Sequence, residues 1–137
     1  RRVKVTAKRE TKVKNFLRQE VVIGGYTTGE GRRASTFGAL LLGVSARGAL
    51  AYVGSVGTGF DDRMLNALSG RLRRLHTGRS PFAGPVDPRH ARGARWVRPE
   101  LVGEVAYGQW TSEGRMRHPV WRGLRPEKVP GEVVREN

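Results

Sequence analysis

Cysteine is absent from the 137-residue chain, which removes disulfides, thiolate metal sites and cysteine nucleophiles from consideration at once. No apolar run approaches the ~18 residues that cross a bilayer, and the N-terminus lacks the apolar stretch of a signal peptide, so a cytoplasmic location is expected. Acidic residues are scarce: 12 stand against 26 Lys and Arg, leaving a formal charge of +14. That imbalance favours a polyanionic partner, with nucleic acid first. No strongly apolar helical face accompanies the charge, which argues against membrane binding. His76, His90 and His118 are too scattered for metal-ligand spacing. None of the serines sits in a Gly-x-Ser-x-Gly elbow. The glycine-rich run Gly54 to Gly59 lacks the Gly-Lys-Ser/Thr ending of a phosphate-binding loop, so tight turns and bulges are its expected use.

What is present reads as one domain, long enough to bury a core without metal or disulfide support. Residues 1 to 18 hold eight basic side chains and one acid, Glu10, as a basic arm or edge strand. Val21 to Tyr26, Phe37 to Val44 and Ala49 to Val56 are β-branched or apolar runs separated by polar and glycine-containing turns, which predicts a meander of three strands. Asp61 or Asp62 offers an N-cap, and Leu65, Leu68, Leu72 and Leu75 recur at spacings of three and four. An amphipathic helix follows, with Arg63, Arg71, Arg73 and Arg74 mostly off its leucine face. Residues 77 to 95 form an irregular basic connection containing Pro81, Pro85 and Pro88. Strand character returns over Trp96 to Tyr107 and Arg115 to Arg122, and a polar, mobile tail is expected over 129–137. Five strands with one helix between the third and fourth is the element order of the OB-fold, a partly open, mainly β barrel that commonly binds nucleic acids.

Two cationic segments stand out. Lys12-Val13-Lys14 would project two ammonium groups from one face of an extended chain, where they could share a phosphate or simply form a solvated edge. Trp121-Arg122-Gly123-Leu124-Arg125-Pro126-Glu127-Lys128 sets three cations within seven residues, a pattern suited to oxyanions or to a charged turn. Trp110 and Trp121 could stack on bases, although core packing is the commoner use of such residues. Asp61-Asp62 reads as helix capping rather than a catalytic dyad.

Taken in order, these two segments together with Glu20 to Tyr26, Gly54 to Phe60 and Trp96-Val97-Arg98-Pro99 resemble the C-terminal OB domain of bacterial ATP-dependent DNA ligases of the ligase D type. The resemblance divides the chain into a leader (1–11), an OB-fold domain (12–128) and a flexible tail (129–137). It implies that Lys12 and Lys14 belong to motif V, approaching the α-phosphate of ATP. Arg122, Arg125 and Lys128 match motif VI, whose cations orient the pyrophosphate during enzyme adenylation. Duplex DNA with a nick or end is the implied substrate, with Arg71, Arg73, Arg74, Arg92 and Arg95 as expected DNA contacts. ATP and a divalent cation, Mg or Mn, are the implied cofactors, held mainly by a nucleotidyltransferase domain acting in cis or in trans. A bacterial, nucleoid-associated setting in the cytoplasm goes with that assignment.

The family's adenylated lysine lies in Lys-x-Asp-Gly, and no lysine of this chain is followed by x-Asp-Gly. The resemblance is therefore to part of an enzyme, either an excised domain or one polypeptide of a split system, expected to be inactive alone. A stand-alone nucleic-acid-binding OB module and a basic ribonucleoprotein component also explain the charge. Neither explains the motif V and motif VI patterns at opposite ends of one domain.

Overall fold

The consecutive residues Val21, Val22 and Ile23 are all buried, an arrangement that a strand with one solvated face does not allow. They lie in β1 (Leu17–Tyr26), which is lined by neighbours along both edges in the computed structural model, where residues 16–136 are described. Lys12 and Lys14 lie outside the described residues. On one side β1 pairs antiparallel with β2 (Leu40–Ala46), and β2 with β3 (Ala49–Val56), in the expected meander. After β3 comes α1 (Asp62–Arg74), followed by the short strands β4 (His76–Thr77) and β5 (Arg95–Val97), which pair with each other. On its other side β1 pairs with β5 and with β6 (Val102–Tyr107). The strands β7 (Gln109–Trp110) and β8 (Met116–Arg117) form a separate two-stranded hairpin, and β9 (Val120–Leu124) returns along β6.

The order β3-β2-β1-β6-β9, with β5 and β6 together as the fourth strand, is the five-stranded OB arrangement expected from the sequence. Its seam is narrow: the Trp121 N–H donates to the Thr58 carbonyl just beyond β3, at 2.9 Å. Gly59 permits this approach, since a Cβ there would lie 2.6 Å from both the N and the O of Trp121, and its φ of +100° is one that side chains disfavour. Trp121 itself is a core residue, stacked on Phe60 at 5.5 Å, while Phe60 meets Phe37 edge-on at 5.1 Å.

Asp61 caps α1 by accepting the Met64 N–H at 2.8 Å, and Leu65, Leu68 and Leu72 are buried, so the leucine periodicity is the packing face. The 77–95 connection is tied down by Phe82. Its ring lies where Cβ atoms on Gly24 and Gly43 would otherwise stand, at 2.8 and 2.9 Å from ring carbons, so two bare strand positions make the seat for one aromatic. The segment also contains a helical turn, Pro88–Ala91.

Three sequence expectations need correction. The fourth strand is interrupted between Val97 and Val102, where Pro99 supplies no N–H for a ladder. The last strand begins at Val120 rather than Arg115, because His118 adopts a φ of +55° and Pro119 follows it; Arg115 lies in the preceding turn and Met116–Arg117 pair with β7. The tail is docked instead of mobile. Val133 is buried, its carbonyl accepts the Ser45 N–H at 2.6 Å, and the Ser45 hydroxyl donates to the Pro130 carbonyl at 3.0 Å. The buried Gln19 amide donates to Val134 O at 2.8 Å and accepts from Glu136 N at 3.1 Å.

Candidate phosphate-binding site at the end of the last strand

Along β9, Trp121 turns inward and Arg122 outward, as alternation in a strand requires. The pairing with β6 runs Gly103 to Leu124, Glu104 to Gly123, then Val105 to Trp121, so Arg122 is the extra residue of a β-bulge. A bulge re-aims a side chain. Arg122 is exposed and has no hydrogen bond or ion pair to any described residue. Gly123, with a φ of +137°, supplies the backbone conformation that follows the bulge.

The other two cations of this segment, Arg125 and Lys128, are engaged. Arg125 pairs through Nη2 with Oε1 of Glu104, and its Nη1 donates to the Leu124 carbonyl at 3.0 Å. Lys128 Nζ stands 3.3 Å from Glu20 Oε2. Glu20 and Glu104 are register partners across β1 and β6, a like-charge juxtaposition that is unfavourable by itself. Arg18, 3.7 Å from Glu104, completes a cluster of three cations around two carboxylates. Sequence reasoning missed both acids. One of them carried a signal in position: Glu104 is a charged residue inside the otherwise uncharged strand β6.

The structure therefore gathers Arg125 and Lys128 in one ion cluster and leaves Arg122 next to them in the chain without an ion pair or hydrogen bond among the described residues. Arg71, Arg73, Arg74, Arg92 and Arg95 are all exposed. The first three occupy the last turn of α1, where cations also stabilise the helix dipole, and Arg73 donates to Ser69 Oγ at 3.0 Å. Arg92 precedes β5 and Arg95 opens it. Among the described residues no group of three or more His, Asp or Glu is placed to hold a metal ion. No helix among them is long and apolar enough to cross a membrane.

The family model described as the C-terminal region of ATP-dependent DNA ligases matches residues 33–128. The chain belongs to that family. It is 56% identical over 118 residues to the multifunctional non-homologous end joining protein LigD of Mycolicibacterium smegmatis, covering 86% of this chain and 16% of that protein. The ligase domain from M. tuberculosis LigD matches with a TM-score of 0.84 at 51% identity, over 89% of this chain and 39% of that one. A mycobacterial DNA ligase D complexed with ATP and MES matches with a TM-score of 0.78 at 49% identity, over 88% and 38% of the two chains. The chain thus spans about 16% of the length of the curated relative it matches. The bulge at Arg122 and the cations Arg125 and Lys128 lie at the end of the stretch that the family model matches, which stops at Lys128.

Proposed function

We propose that this chain is the OB domain that closes over ATP during adenylation of an end-joining DNA ligase and then clamps the nicked duplex during strand joining. The bulged Arg122 is the observation that carries the reading: a guanidinium turned out of the barrel, with no hydrogen-bond or ion-pair partner among the described residues, beside two cations already held on carboxylates. In this reading Arg122, Arg125 and Lys128 bind and orient the pyrophosphate of ATP, with Lys12 and Lys14 approaching the α-phosphate. Arg125 and Lys128 exchange the carboxylates of Glu104 and Glu20 for phosphate oxygens, which are likewise anionic hydrogen-bond acceptors. Neutralising charge on the departing pyrophosphate is the contribution that positioned cations make to phosphoryl transfer. The nucleophilic lysine belongs to a nucleotidyltransferase domain joined in cis or acting in trans. The divalent cation is assigned to that nucleotidyltransferase domain as well; among the described residues no group of three or more His, Asp or Glu is placed to hold one.

The exposed arginines Arg71, Arg73, Arg74, Arg92 and Arg95 are the proposed DNA backbone contacts, and closure and opening of the domain would present the two surfaces in turn. A bacterial cytoplasm, in association with the nucleoid, is the proposed setting. Mixing provides the test. Added to a ligase D nucleotidyltransferase domain, the chain is expected to raise lysyl-AMP formation, and Arg122→Ala to remove at least tenfold of that stimulation. Equal stimulation by wild type and Arg122→Ala, or lysyl-AMP on this chain alone, would defeat the reading.

A further inference from the structure

A polar cleft of about 420 Å³ opens between β3, the Pro88–Ala91 turn and the β7–β8 hairpin, away from the motif VI cluster. Its lining includes a hydrogen-bonding pair, with Ser55 Oγ 3.3 Å from His90 Nε2, and the Tyr52 phenol on the same wall of β3. Burial pushes the Tyr52 phenol above the usual tyrosine range, so it remains an O–H donor. Two guanidiniums line the walls and both are braced. Arg115 lies over the Tyr52 ring at 4.8 Å, and its Nη1 donates to the carbonyls of Tyr52 and Glu113 at 3.1 and 3.2 Å. Arg89 grips the Asp87 carboxylate through Nε and Nη2 at 3.3 and 2.8 Å.

The serine, histidine and aspartate resemble a hydrolytic triad only by composition. Asp87 accepts from the Arg89 backbone N–H at 3.0 Å as well as from its side chain, and these bonds hold its carboxyl down at about 2. No acid orients the His90 ring, so Ser55 has no activated base. The arrangement suits binding. The lining holds two guanidiniums, Arg89 and Arg115, and two carboxylates, Asp87 and Glu113, so its fixed charges cancel. Such a set does not match a triphosphate, but it does match one singly charged phosphodiester received by preorganised donors.

We infer that this cleft is a second anion site, a subsite for one backbone phosphodiester of the DNA, with Ser55, His90 and Arg115 as donors and Tyr52 as the support of Arg115. The inference rests on the ligase reading for the source of the phosphate. Neither His90 nor Ser55 carried any signal in the sequence, since 35 residues separate them and only the fold joins them.

The experiment titrates the 137-residue chain with labelled nicked duplex at several salt concentrations, comparing wild type, His90→Gln and the Ser55→Ala/His90→Gln double variant. Each phosphate contact contributes roughly 0.9 to the log–log salt slope. The double variant is expected to bind several-fold more weakly and to lose about one from that slope. Unchanged affinity and slope would overturn the subsite and leave the ligase reading standing. Should wild type bind no duplex, the DNA source and the clamp fail together, and a second arm decides the site: NMR with dimethyl phosphate. Shifts of the His90 ring and Ser55, absent in the double variant, would retain a phosphodiester site; no shift would overturn it. Matching amide spectra of the variants away from the cleft establish that they are folded.

Discussion

Replacing Gln19 by alanine should loosen the whole C-terminal end of the domain, although Gln19 lies in the first strand. Its side chain is only 1% exposed, and three hydrogen bonds satisfy it: Nε2 to Glu20 O at 2.9 Å, Nε2 to Val134 O at 2.8 Å, and Glu136 N to Oε1 at 3.1 Å. Two of these three cross from the barrel to the tail. With each net bond contributing about 1 kcal/mol, and a further cost for the groups left unpaired, Gln19→Ala should destabilise the chain by about 2–3 kcal/mol. For a domain of this size that is a fall in Tm of roughly 6–12 °C. The assay is a two-state urea or thermal melt of four chains: wild type, Gln19→Ala, a truncation after Val129, and both changes together. In the truncated background the same substitution should cost less than half as much, giving a coupling of about 1–2 kcal/mol. Hydrogen exchange at the Glu136 amide should accelerate in Gln19→Ala well before the β1–β2 ladder does. A melting temperature within a degree of wild type, or an equal cost with and without the tail, would refute the docking and restore a free tail.

Gly103→Ala should cost about 1–3 kcal/mol by forcing Trp121 off its seat, because a Cβ at 103 would stand 2.6 Å from Trp121 Cζ3; a urea melt with near-UV dichroism reads both the loss and the displaced indole. Glu104→Gln should lose about 1 kcal/mol, shrinking as salt is raised, since Arg125 and Arg18 both depend on that carboxylate; an unaltered melt at low salt would show the cluster to be energetically idle. The Asp87 brace should be complete above the carboxyl's ordinary 3.8 and be lost as pH falls towards about 2, because the folded form holds the proton less readily; a carboxyl-detected NMR titration of Asp87 with a midpoint near 4 would contradict it.

Glycine and proline punctuation, apolar runs and the leucine spacing of α1 placed the meander and the helix, since each depends on neighbours a few residues apart in the chain. Where the reading erred, a backbone constraint had been given too little weight: Pro99 divided the fourth strand, and His118-Pro119 delayed the fifth. The tail was misread for another reason. Its residues are polar by composition, but the partners that dock it, Gln19 and Ser45, lie more than 80 residues away in sequence. The same distance hid the acids beside motif VI, because Glu20 and Glu104 meet only through strand register.

The cations of Trp121 to Lys128, the absence of Lys-x-Asp-Gly and the order of elements were properties of the sequence alone, and they were enough to indicate a ligase OB domain without its nucleophile. Tertiary structure alone decided which of those cations is held on a carboxylate. A bulge is defined by the partner strand, and an ion pair by a carboxylate on another strand. The distinction between Arg122, turned outward and without a partner among the described residues, and Arg125 and Lys128, held on Glu104 and Glu20, therefore exists only once β1, β6 and β9 lie side by side.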